Sequence, residues 1–193
     1  ALKGQVEGVI VWATSRSNSH HDIWIMNADG TNARALTKSD NVDWFPRVSP
    51  NGEKVLFNRS KGGWVPENDA NYPEKWDLWT VDINGENATK IVENATWGTW
   101  RPDGKAIVFS RAGKVFKMDL ASKAESLVLD GEKAFNKKDV ILQEPNMSPD
   151  GKHLAITLRG SMRETGVWDL TKGGWTKSGD GCQIAWNFDG SKL

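Results

Sequence analysis

The sequence predicts an all-β fold made of consecutive four-stranded antiparallel blades, the arrangement of a β-propeller. Three observations carry that prediction: one hairpin turn is written four times, a β-rich run follows each full copy, and a further strand with an aromatic residue in register comes next. The turns are Ser49-Pro50-Asn51-Gly52, Arg101-Pro102-Asp103-Gly104, Ser148-Pro149-Asp150-Gly151 and a degraded Asn187-Phe188-Asp189-Gly190. Proline presets φ at the second position, Asp or Asn suits the third, and glycine accepts the left-handed conformation that lets two antiparallel strands meet.

The other elements follow in fixed order. Second strands read Lys54-Val55-Leu56-Phe57, Ala106-Ile107-Val108-Phe109 and His153-Leu154-Ala155-Ile156, and the chain opens on an equivalent stretch, Gly8-Val9-Ile10-Val11-Trp12. Third strands carry the aromatic: Asp22-Ile23-Trp24-Ile25-Met26, Asp77-Leu78-Trp79-Thr80-Val81, Lys114-Val115-Phe116-Lys117-Met118 and Thr165-Gly166-Val167-Trp168. A polar turn ends each one, and a weaker fourth strand follows, as in Ala33 to Thr37 and Thr89 to Val92. The second turn positions stand 52, 47 and 39 residues apart, and four strands in roughly 40–45 residues is the period of a propeller blade.

The expected blades are 8–40, which lacks a first strand, then 45–93, 97–130 and 144–179, with 182–193 opening the next blade or closing the first. The 193 residues therefore hold about four blades. They fit either part of a larger propeller or a small ring closed through a shared blade, closure being the device that removes exposed sheet edges.

Composition restricts the partners. Twenty-five basic and 25 acidic residues give a formal net charge of zero, which argues against nucleic acid, whose binding requires a basic face. No run approaches the ~18 apolar residues of a membrane-spanning helix. The Ala1 start shows neither a signal peptide nor an initiator Met, so a processed or trimmed N-terminus is expected. The single Cys182 excludes an internal disulfide framework and, on an expected first strand, reads as a buried inert thiol. The sequence contains no Gly-x-Ser-x-Gly elbow, His-Glu-x-x-His, phosphate-binding glycine loop or Cys-x-x-Cys, which argues against a self-contained hydrolase or nucleotide enzyme.

Eleven tryptophans invite a carbohydrate-binding reading. Register removes most of them, because Trp24, Trp79 and Trp168, with Phe116 in the same slot, recur at the blade period, and Trp100 and Trp186 align with Val48 and Met147. Residues that recur with the blade are packing residues. Segments that do not repeat are the candidates for function, since loops carry sites on a rigid scaffold.

Three segments qualify: 61–76, with Trp64, Tyr72 and Trp76 beside Glu67, Asn68 and Asp69; 131–144, joining one blade to the next and ending in Glu144; and 16–21, ending in His20 and His21. Second-to-third-strand turns and blade connections leave an antiparallel blade at the same end, so all three are expected on one face. We expect Trp64, Tyr72 and Trp76 as aromatic anchors, with Glu67, Asp69, His20, His21 and Glu144 around them. The plainer alternative is a loop folded over its own blade to cover apolar surface. His20-His21-Asp22 is the most metal-like cluster, but neighbours on an extended strand point to opposite faces. Asp22 also shares a repeat position with Asp77, which suggests a structural hydrogen bond; no metal and no cofactor is expected.

The string Asp22-Ile23-Trp24-Ile25-Met26-Asn27-Ala28-Asp29-Gly30-Thr31-Asn32, through Leu36-Thr37 to Phe45-Pro46-Arg47-Val48-Ser49-Pro50-Asn51-Gly52, resembles the TolB-type propeller repeat. The resemblance covers nearly the whole chain and is closest in the first two copies; Gly166-Val167-Trp168 lacks the family's Asp, and Asn187-Phe188 replaces Ser-Pro. It implies a propeller of about six or seven blades, often periplasmic or secreted, used as a binding scaffold, and it names no reaction. The leading expectation is a noncatalytic scaffold for a protein or polysaccharide partner. The alternative is the propeller part of a larger enzyme, a prolyl-oligopeptidase-like peptidase or a metal-dependent polysaccharide lyase, with catalytic residues outside this chain. The remaining blades or domains of the parent protein would also be partners.

Overall fold

The computed structural model describes residues 7–17, 19–66, 72–181, 184–187 and 190. The described residues form strands, one 3-10 turn and one short helix, and the chain divides into two compact units, 1–95 and 96–193. In the first unit, β1 (Val9–Thr14), β2 (Asp22–Asn27) and β3 (Arg34–Ala35) make a three-stranded sheet, while β4 (Asp43–Val48), β5 (Lys54–Ser60), β6 (Trp76–Asp82) and β7 (Thr89–Glu93) make a four-stranded one. The second unit holds β8 (Thr96–Trp100), β9 (Ala106–Arg111), β10 (Lys114–Asp119) and β11 (Glu125–Asp130) in one sheet. Its other sheet is β12 (Val140–Met147), β13 (His153–Gly160), β14 (Glu164–Asp169) and β15 (Trp175–Gly179). Every sheet is an antiparallel meander in which each strand pairs with its neighbour in sequence.

The repeated turns make the same bond: the glycine N–H donates to the carbonyl three residues back, from Gly52 to Ser49 (2.9 Å), Gly104 to Arg101 (2.9 Å), Gly151 to Ser148 (2.8 Å) and Gly190 to Asn187 (3.0 Å). All four glycines have φ between 66° and 75°, a region where a Cβ is costly. The turns after the third strands come in two lengths. Gly30 and Gly85 close short ones on Asn27 and Asp82, whereas the third and fourth sheets insert one more residue and place Lys123 or Gly173 in the left-handed region.

In that longer turn the Asp169 carboxylate accepts from the Thr171 N–H and hydroxyl and from the Lys172 N–H. These bonds lower its pKa to about 2. A lowered folded value means that the stabilisation is fully present above the ordinary 3.8 and is lost as the pH falls through about 2. A carbon NMR titration of the Asp169 carboxyl should show that midpoint; an ordinary carboxylate midpoint would overturn the assignment.

Two sheets share a core in each unit. Ile23, Ile25 and Leu36 of the first pack against Val55, Phe57 and Val81 of the second, all at most 5 % exposed. In the second unit Val108, Val115 and Leu129 meet Leu142, Leu154, Ile156 and Leu158. Fully burying each such side chain contributes about 1.5–3 kcal/mol. The recurring third-strand aromatics are half-buried rather than sealed, and three of them carry an arginine over the ring: Arg16 on Trp24 (5.0 Å), Arg59 on Trp79 (4.7 Å) and Arg111 on Phe116 (5.6 Å).

Each complete sheet also has a β-bulge at one repeat position. Phe45, Trp97 and Glu144 take φ of 54°, 56° and 54°, and the first strand slips its register there. Two residues then face one, which lets Pro46 and Pro145 sit inside strands without removing a ladder bond.

Candidate functional site

The β1–β2 and β5–β6 loops of the first unit meet the connection between its two sheets. Asp22 starts β2 and, with no exposed surface, accepts from the Ser39 N–H (3.3 Å) and the Thr37 hydroxyl (3.4 Å). Asp77, at the same place in the second sheet, accepts from the Asn94 N–H (3.0 Å). The structural hydrogen bond expected of this repeat position is therefore present in both sheets. His20 points back to the Ser39 carbonyl (Nε2 to O, 2.5 Å), whereas His21 stacks its ring on Trp44 (4.0 Å between centroids). The two imidazoles thus have different partners, although both lie before the start of β2. Among the described residues no group of three His, Cys, Asp or Glu side chains is placed to hold a metal.

A cleft of about 630 Å³ opens beside this connection, lined by Ser17, His20, Asp22, Trp24, Lys38 and Asp40 among others. Next to it Asp43, itself fully buried, takes a two-pronged pair of bonds from Arg59, Nε to Oδ1 and Nη2 to Oδ2, each 2.7 Å. Burial pushes the Asp43 carboxyl above its ordinary range, against the pull of Arg59.

The inserted loop is held at its base. The Ser60 hydroxyl donates to the Gly63 carbonyl (2.5 Å), and the Gly63 N–H donates to Asn41 (3.2 Å). Val65 is buried with Val42 and Trp76, with Trp44 against them. Trp64 and Tyr72, in contrast, are 63 % and 52 % exposed, with the Lys75 ammonium over the Tyr72 ring (5.0 Å). Trp76 does not join them. Expected as a third anchor, it opens β6 opposite Ser60 and is fully buried, so it is a core residue. Glu67 and Asp69 lie outside the described residues, as does Cys182.

Glu144 belongs to the second unit, where its carboxylate accepts from the Thr157 hydroxyl (3.1 Å) across the bulge. The insertion before it contains α1 (Gly131–Phe135), whose N-cap Asp130 accepts from the Lys133 N–H (3.4 Å). Phe135 lies edge-on to Trp168 and Trp175 (5.8 and 5.4 Å), which folds this insertion onto its own sheet. The sequence reading did not single out Trp44, Asp43 or Arg59. Trp44 and Asp43 could have been noticed from Pro46, which marks an interrupted strand beside them.

Solved structures supply the deciding comparison. TolB from Acinetobacter baumannii superposes with a TM-score of 0.68 at 15 % identity, over 90 % of this chain and 44 % of that one. A protein from Agrobacterium tumefaciens assigned to TolB gives 0.69 at 14 % identity, over 88 % of this chain and 60 % of its own. The fold is TolB-like. The propeller of a prolyl endopeptidase is a more distant likeness, with a TM-score of 0.59 at 16 % identity over 94 % of this chain and 29 % of that chain, and together these likenesses support a propeller domain. In sequence, the chain is 27 % identical over 113 residues to the uncharacterized protein Atu1656 of Agrobacterium fabrum, 54 % of this chain and 37 % of that protein. It thus spans less than two thirds of each of these relatives. No protein-family model matches the sequence. Among the described residues no helix is long and apolar enough to cross a membrane.

Proposed function

We propose that this chain is a noncatalytic TolB-like scaffold that binds a protein or an extracellular polysaccharide through the loop-decorated end of its first unit. One observation carries the reading. The inserted loop buries its small apolar residue, Val65, and leaves its large aromatics, Trp64 and Tyr72, in solvent. A loop whose task was to cover its own sheet would do the reverse, and exposed aromatics over a fixed base are what an interface anchor requires. His20 and His21 border that end, and Glu67 and Asp69 belong to the same loop in sequence. In this reading the sheets are blades spanning 8–40, 45–93, 97–130 and 144–179, with 182–193 beginning another, in a periplasmic or secreted propeller of about six or seven blades.

The test is retention of Trp64→Ala, Tyr72→Ala and the double variant on immobilised polysaccharides and on a cell-envelope protein fraction. Each single change is expected to lower retention about tenfold, one interface anchor's worth, with an unchanged urea midpoint. Retention equal to the parent chain would sink the proposal.

The likeness to a prolyl endopeptidase favours one further reading, in which the chain is the propeller part of a larger peptidase. That reading requires hydrolysis of a proline-containing peptide by the natural gene product and none by residues 1–193.

A further inference from the structure

Residues 131–139, between β11 and β12, and residues 159–164, where β13 turns into β14, meet at one end of the second unit. The Ser161 N–H donates to the Asp139 carbonyl (2.9 Å), its hydroxyl donates to the Lys138 carbonyl (2.5 Å), and the Lys137 ammonium donates to the Ser161 carbonyl (2.7 Å). Gly160 lets the backbones come this close. A Cβ there would stand 1.9 Å from the Asp139 carbonyl oxygen, and its φ of 77° is one that few other residues adopt. Apolar side chains of both segments turn inward, Phe135 onto Trp168 and Trp175 and Met162 onto the core of the unit. The two loops thereby form one fixed platform.

The outer surface of that platform is basic. Its segments carry Lys133, Lys137, Lys138, Arg159 and Arg163 against Glu132, Asp139 and Glu164; Arg159 is half-buried and the other four cations are exposed. Two of the acids are occupied within the fold. The Glu132 carboxylate accepts from the Asp139 N–H (2.8 Å), while Glu164 accepts from the Trp175 indole N–H (3.2 Å) and pairs with Lys177 (3.6 Å). Elsewhere in the unit Arg111 and Lys114 pair with Glu125 and Asp130 (2.5 and 2.8 Å), but among the described residues none of these five cations forms an ion pair. Lys137 and Arg159 bond carbonyl oxygens, of Ser161 and Leu158, which leave their charge uncompensated.

We propose that this platform is a binding surface for an acidic polysaccharide, a polymer with a carboxylate on each sugar. Charge complementarity gives the sign of the partner. Of the exposed large apolar side chains among the described residues, Val9, Ile10, Trp64, Tyr72 and Leu127, none lies in either segment, whereas protein interfaces are centred on such anchors. A surface that holds its partner through exposed cations suits a chain whose charge repeats and whose stiff sugar rings lose little freedom on binding. The platform belongs to the second unit and does not depend on the aromatic loop of the first.

The probe is a short alginate oligomer, added to the 193-residue chain at low ionic strength and followed by backbone amide shifts and titration calorimetry. Saturable binding should shift the amides of residues 137–139 and 160–163, and it should weaken steeply as salt is added. Lys138→Gln combined with Arg163→Gln should weaken it about tenfold, the worth of two surface charge contacts, at an unchanged urea midpoint. Lys105→Gln combined with Lys152→Gln removes the same charge ahead of β9 and β13, at the other end of those strands, and should weaken it far less. Four results would each overturn the proposal: no saturable binding, shifts that avoid both segments, equal weakening by the two double variants, or binding of neutral dextran, polyglutamate or oligothymidylate as tight as that of alginate.

Discussion

Trp76→Ala is expected to lower unfolding stability by about 3–5 kcal/mol, the range for removing a sealed indole from a core. The ring has no exposed surface and packs with Val42 and Val65, so the truncation leaves a cavity under Val65, a buried residue of the inserted loop. Two readouts should therefore move together in the variant: the urea midpoint and the rate of proteolysis after Lys61. Trp64→Ala, a few residues away and exposed, should stay within about 0.5 kcal/mol of the parent, as surface substitutions do. A Trp76→Ala loss no larger than that of Trp64→Ala would show that the loop, rather than the core, owns this residue.

Asp43→Ala should cost about 3–5 kcal/mol, because it leaves one member of a buried ion pair behind. The Arg59 side chain is only 12 % exposed and lies over Phe57 (5.2 Å) and Trp79, so it has little room to turn to water. Adding Arg59→Met removes the stranded charge, keeps an unbranched chain over the rings, and is expected to recover much of the loss. A double variant as unstable as the single one would mean that Asp43 matters through another contact. The pH dependence that has a definite sign is that of Asp169: with its lowered pKa, the stability advantage of the parent over Asp169→Asn should shrink as the pH falls below the ordinary 3.8.

The parts of the fold that were readable in the sequence are those set by one or two residues at a fixed offset. Gly52, Gly104 and Gly151 announce their turns because little else tolerates the backbone they adopt, and even the degraded copy ending at Gly190 closes the same bond. The α1 turn was not readable, because five residues are too few to show a helical period and its N-cap, Asp130, also ends a strand. Trp76 was misassigned because it adjoins Trp64 and Tyr72 in sequence. Only the pairing of Trp76 with Ser60 shows that the loop has already ended and a strand has begun. Of the candidate site, the exposure of Trp64 and Tyr72 followed from their place in a segment that does not repeat, whereas His20 and His21 were read as strand residues and in fact precede β2. The Asp43–Arg59 pair did not, since it joins residues 16 apart across two strands whose register depends on the bulge at Phe45.

The meander pattern has a consequence for how this chain is made. Because each described strand pairs with a neighbour in sequence, none of these described ladders waits for a distant segment to leave the ribosome before it can close. Loop-closure entropy is then spent in short steps, which favours rapid folding. Each sheet can form while the next is being translated, and the apolar face it leaves uncovered need wait only until its neighbour arrives.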